Sequence, residues 1–210
     1  MTRRQKARVS LRKQPQQSRS SELVAAILQA AVQVLAREGA QRFTTARVAQ
    51  KAGVSVGSLY QYFPNKASIL FRLQSDEWRQ TLEMLRSILA ETRRPPLERL
   101  RLLMHAFVRS ECEEAAIRTA LDDAAPLYRD APEALEAREE GERIMATFML
   151  EVLPDASAAT RAMAGDLIGT TMSTVAKQFS ETPRTAQEIA AYSDAMADMF
   201  CAYLRSLKRR

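Results

Sequence analysis

Few side chains in this 210-residue chain are of the kinds that catalyse reactions or hold metals. A single histidine, His105, and two widely separated cysteines, Cys112 and Cys201, form neither a CxxC pair nor a zinc set. No Ser-His-Asp arrangement, phosphate loop or metal cluster stands out. The sequence therefore predicts no enzyme, no cofactor and no metal, with reduced cytosolic thiols. The concentrated chemistry is cationic. Residues 1–66 carry 12 Lys/Arg against 2 Asp/Glu, a balance of +10, whereas the other 144 residues carry 19 against 23, a balance of −4. A compact positive end on an acidic body is the electrostatic footprint of a nucleic-acid module.

The elements that must position those charges read as helices. Glycines number only 6, and runs of alternating β-branched residues are missing. Residues 1–19 hold seven Lys/Arg, no acid and a Gln/Ser/Pro-rich stretch, and read as a flexible arm, either tracking a phosphate backbone or merely solubilising. A first helix starts near Ser20 or Ser21, repeats Leu23, Ile27, Ala30, Ala31, Val34 and Leu35, and stops at Gly39. Two very short helices follow. Thr44 caps one, with Phe43 and Val48 placed as a hydrophobic staple; Ser55 caps the next, with Val54 and Leu59 repeating it. Gly53 supplies the sharp turn between them. Helices this short are unstable alone in water, so the pair makes sense as a packed helix-turn-helix. A further start lies at Pro64-Asn65-Lys66, where Asn65 can cap.

The run from Phe43 to Lys66, FTTARVAQKAGVSVGSLYQYFPNK, resembles the DNA-binding core of the TetR/AcrR family of bacterial transcriptional regulators. The likeness covers roughly residues 20–70, and joins helix, turn, recognition helix and Leu-Tyr-x-Tyr-Phe-x-Asn-Lys in order without a gap. Beyond it the chain is similar only in being long helices.

In such a module the first turn of the second short helix faces base edges, and residues at its margins hold phosphates. Ser55, Val56, Gly57 and Ser58 form that turn, and none makes a strong bidentate base contact. Val56 suits a thymine methyl, Gly57 permits close backbone approach, Gln61 offers a donor–acceptor pair for adenine, and Arg47 suits guanine or a phosphate. The resemblance adds Thr45, Tyr60, Tyr62 and Lys66 as phosphate holders, although Tyr62 also suits the core.

From Lys66 onward the periodicity predicts a long helix over 65–91, one from Pro95-Pro96 to about Leu121, a short segment near 122–129, and three more helices over about 132–153, 156–180 and 185–207. The predicted fold is all-α with about nine helices. It comprises an arm (1–19), a three-helix helix-turn-helix DNA-binding domain (20–66) and a larger helical effector-binding and dimerisation domain (67–210). No uninterrupted apolar run reaches membrane-spanning length, and a soluble, cytoplasmic protein with no membrane partner is expected. Large adaptable side chains in the middle helices mark the place for a small-molecule effector: Trp78, Met104, His105, Val108, Cys112, Tyr128, Met145, Phe148 and Met149, each of which ordinary core packing also explains. A homodimer is expected through residues about 156–207. Its candidates are a small-residue face (Ala162, Gly165, Gly169, Ser173) and a stripe on the last helix, paired by resemblance in a four-helix bundle. The partners expected are double-stranded DNA and an unidentified small molecule. The function implied is a ligand-responsive repressor on a palindromic operator; an activator, or a nucleoid-associated protein that docks a protein partner, is the alternative.

Overall fold

Thr44 and Ser55 do locally what their types dictate. In a computed structural model, which describes residues 18–127 and 131–208, each sits in extended backbone and its hydroxyl accepts the N–H three residues on, from Arg47 and Ser58 respectively. The chain between them turns at Gly53, whose φ of 69° is the left-handed conformation that side-chain-bearing residues resist. Its N–H reaches the carbonyl of Gln50 and that of Val54 reaches Ala49, so the end of the helix is closed by backbone bonds.

Among the described residues there are nine α-helices and one 3₁₀ turn, and no strand. They are α1 (Ser18–Arg42), α2 (Thr45–Ala52), α3 (Val56–Tyr62), α4 (Lys66–Leu89), α5 (Pro96–Glu113), α6 (Ala115–Ala124), the 3₁₀ turn Ala125–Leu127, α7 (Pro132–Val152), α8 (Ala158–Ser180) and α9 (Ala186–Lys208). The all-α expectation holds, and the arm expected over 1–19 lies almost wholly outside the described residues. Two details differ from the sequence reading. Gly39 does leave helical geometry (φ 72°, ψ 172°), but one more turn follows it to Arg42. The helix expected from Pro96 to Leu121 ends at Glu113 and restarts at Ala115, without Pro or Gly. That break falls where the chain passes from one compact unit to the other.

The first unit takes residues up to Glu77 together with 116–134. Here α1 packs on α2 and α2 on α3. Ile27, Ala31, Leu35, Phe43, Val48, Ala49, Leu59, Phe63 and Ile69 are fully buried and make its interior. Asn65 caps α4 by accepting the Ser68 N–H at 2.9 Å. By length and hydropathy residues 20–42 of α1 would suffice to cross a membrane, but its apolar stripe is buried in this unit, as in a core helix of a folded domain.

The second unit takes residues 78–115 and 135–210. In it α5 packs against both α8 and α9, and Leu100, Leu103, Met104, Met149, Ile168, Ala197 and Leu204 lie in one continuous core. α9 begins with a reciprocal capping box: Thr185 N–H donates to Glu188 at 2.7 Å and Glu188 N–H to the Thr185 hydroxyl at 3.2 Å. Two charged side chains of this unit are buried, Glu111 and, more deeply, Arg99. Arg99, 1% exposed, donates to the carbonyl of Leu89 and to the carboxylate of Glu151, and lies over the Phe148 ring at 5.6 Å.

Two glycine substitutions separate backbone geometry from packing. A Cβ at Gly53 meets no atom within 4 Å, so Gly53→Ala costs only the left-handed backbone, about 1–2 kcal/mol. Gly57 is helical and a Cβ there makes only an ordinary 3.7 Å contact with Ser55 Oγ, so Gly57→Ala stabilises by about 0.5–1 kcal/mol. Denaturant midpoints of the two variants are expected to move in opposite directions.

Candidate nucleic-acid interface

With Leu59 and Tyr62 of α3 and the adjoining Phe63 inward, the opposite face of α3 turns to solvent. Val56 and Tyr60 are each 39% exposed, unusual for side chains of that size, and Gly57 and Gln61 are exposed beside them. Ser55 and Ser58 are engaged with each other. Their hydroxyls share a hydrogen bond of 2.8 Å in addition to the capping bond of 3.0 Å. The first turn of α3 therefore presents an apolar group and open backbone more than free donors.

Tyr60 and Thr45, fifteen residues apart, share a hydroxyl–hydroxyl hydrogen bond of 3.1 Å that fixes α3 against the start of α2. Both line a recess of about 300 Å³ with Gln41, Phe43, Thr44, Pro64, Asn65 and Lys66. Lys66, exposed, opens the 24-residue α4, so an ammonium and the positive end of a helix stand together at the recess. Three of the expected phosphate holders, Thr45, Tyr60 and Lys66, thus meet at one place. Tyr62 does not join them: at 6% exposure its ring is part of the core, because Tyr62 falls on the inner side of the short helix with Leu59. Gln41, Thr44 and Asn65 line the recess although no chemical signal in the sequence singled out Gln41 or gave Thr44 and Asn65 more than a capping role.

Arg47 is exposed but not unengaged. Its guanidinium is ion-paired with Glu38 and donates to the carbonyl of Arg42 at 3.4 Å. Glu38 escaped the sequence reading because the pairing crosses from the end of α1 to the start of α2.

The residues expected around an effector separate in the second unit. Met104, Val108, Met145, Phe148 and Met149 are buried in one core cluster, and Cys112 packs against it. Burial pushes the Cys112 thiol up from its ordinary value. His105 stands apart, 3.0 Å from Asp194 on α9, which also receives Arg101 at 3.2 Å. The His105 and Arg101 side chains hold the Asp194 carboxyl below its usual range. Trp78 is half-buried at the start of this unit. Tyr128 lies outside the described residues. Of the small-residue face on α8, Gly165 points inward, where a Cβ would crowd Met145 at 3.2 Å, while Ala162 and Ser173 are exposed. Most of the α9 stripe, including Met196, Phe200 and Leu204, is intramolecular core, and Met199 is exposed.

Residues 95–207 match the family model described as tetracyclin repressor-like, C-terminal domain, and residues 27–73 match that of bacterial regulatory proteins, tetR family. The nucleoid occlusion factor SlmA of Vibrio campbellii is 40% identical over 83 residues, 39% of this chain and 42% of SlmA. The transcriptional repressor KstR of Rhodococcus jostii is 28% identical over 131 residues, 61% of this chain and 60% of KstR. The chain thus matches less than two thirds of the length of either relative. Among solved structures, the transcriptional regulator FadR of Bacillus subtilis in complex with stearoyl-CoA superposes with a TM-score of 0.65 at 18% identity, covering 84% of this chain and 96% of that one.

Proposed function

The chain belongs to the TetR family of bacterial transcriptional regulators, and we propose that it is a ligand-responsive repressor that binds a palindromic operator as a homodimer. The observation that carries this reading is the recess where Thr45, Tyr60 and Lys66 meet beside the exposed first turn of α3. In the proposed complex these three groups hold the phosphate backbone, with the N-terminus of α4 behind them. Val56 reads a thymine methyl, Gln61 an adenine edge, and Ser55, Gly57 and Ser58 set how closely the backbone approaches the groove.

One such module makes few base contacts, so useful affinity calls for two on one duplex. Residues 20–66 serve as the DNA-binding domain and residues 67–210 as the effector-binding and dimerisation domain. Exposed Met163 and Leu167 on α8 and Met199 on α9 supply apolar surface for a twofold contact within about residues 156–207. The Met-rich core around Met104, Met145 and Met149 is the adaptable part of the second unit and the proposed seat of an apolar effector. The stearoyl-CoA complex of FadR supports an acyl-type ligand on this fold. The role is one of binding rather than catalysis, exercised on chromosomal DNA in the cytoplasm. The likeness to the nucleoid occlusion factor SlmA favours a second reading, a nucleoid-associated protein whose C-terminal domain docks a protein partner.

Selection and sequencing of bound duplexes tests both. The repressor reading expects a palindrome with half-sites about one helical turn, or a multiple of it, apart, concentrated at promoters. Recovery of duplexes without a shared sequence would overturn it, and dispersed sites away from promoters would favour the second reading. On the selected duplex, Tyr60→Phe weakens binding about five- to tenfold at every sequence, and Lys66→Ala flattens the slope of log K against log salt by about 0.9 per module. Replacing the thymine beside Val56 with deoxyuridine, which lacks the 5-methyl, lowers affinity for the natural chain; Val56→Ala removes that sensitivity. Equal binding of thymine and deoxyuridine duplexes at every position would exclude Val56 as a reader.

A further inference from the structure

Glu38 is the single carboxylate between residues 23 and 75, in a stretch that also contains Arg37, Arg42, Arg47, Lys51, Lys66 and Arg72. It is aimed at one of them. Its carboxylate pairs with the Arg47 guanidinium, which also donates to the Arg42 carbonyl. Arg47 does not line the recess, but it is the third residue of α2 and its backbone N–H donates at 3.3 Å to Thr44, one of the recess-lining residues. The pair is open to water, with side-chain exposures of 47% for Arg47 and 34% for Glu38. Such exposed pairs are weak and exchangeable.

A carboxylate and a phosphodiester each offer a guanidinium two neighbouring anionic oxygens that it can engage in bidentate fashion. We propose that Glu38 is an intramolecular stand-in for DNA phosphate, which holds Arg47 until a correctly seated duplex takes its place. The inference rests on the DNA-binding role proposed above and deepens it, assigning Glu38 as a specificity-determining residue that itself touches no base. Arg47 then adds affinity only where the duplex brings an acceptor close enough to displace the carboxylate. Loosely seated, arbitrary sequence gains least from it, so the ratio of specific to non-specific binding rises.

The test is a double-mutant cycle on the full-length chain, read as affinity for a short duplex of arbitrary sequence over a range of salt. Glu38→Gln is expected to tighten that binding about two- to fivefold per module and to steepen the salt slope by about 0.9 per module, as Arg47 gains a phosphate. In an Arg47→Ala background, Glu38→Gln is expected to leave the slope unchanged. A slope that steepens equally without Arg47 would mean a bulk charge effect and overturn the inference, as would no change in either background. Glu38→Ala repeats the cycle with a different side chain should the amide perturb the fold. Failure of the natural chain to bind any duplex overturns the proposed function itself, whereas binding with an unchanged cycle overturns this inference alone.

Discussion

A seven-residue helix closes too few internal hydrogen bonds to persist in water, and α3 is such a helix. Its existence depends on what its inner side buries. Leu59 and the adjoining Phe63 are fully buried with Phe43 and Val48, so the apolar contacts that hold α2 and α3 together also decide which residues remain outside. Three or four positions are left to face a partner, and they are left there in fixed orientation. Caps at Thr44 and Ser55 and the left-handed turn at Gly53 supply the remaining constraint, each satisfying backbone groups that a short helix leaves orphaned.

The same economy limits what the outer face offers. Ser55 and Ser58 bond each other, Thr45 bonds Tyr60, and Arg47 bonds Glu38. Polar groups that look like readers in a linear sequence are thus already engaged within the fold. These bonds are exposed and exchangeable, so they pre-order the side chains at little cost; in the proposed complex Val56 and Gln61 are the groups a base edge meets first. Arrangement of this kind favours shape, methyl contact and spacing over strong bidentate readout.

Local rules made much of the fold legible. Thr44, Gly53, Ser55 and Asn65 act through neighbours three or four residues away, and the sequence spacing alone exposes them. The recess was legible in part, since Thr45, Tyr60 and Lys66 carried the family resemblance. What stayed hidden depends on contacts between distant segments. Nothing in the spacing of α5 and α6 announces the break at Glu114, and no pattern links Glu38 to Arg47. On α8 and α9 a stripe of small or apolar residues has the same appearance whether it packs inside one chain or against another. Gly165, Met196 and Phe200 are packed inside; Met163, Leu167 and Met199 are not. Tyr62 shows the same ambiguity at one residue, because an aromatic in a reading helix suits both core and phosphate.

Arg99 imposes a different kind of order on the second unit. A buried guanidinium is expensive unless its donors are met, and here they are met unevenly. One arm closes the last carbonyl of α4 at Leu89, the other reaches Glu151 on α7, and its face lies over Phe148, while Nε has no hydrogen-bond partner among the described residues. Methionine contacts can rearrange with small changes in energy, but a buried cation tolerates few alternatives. The core of this unit is therefore directionally constrained where α4 ends and α5 begins, and deformable around Met104, Met145 and Met149.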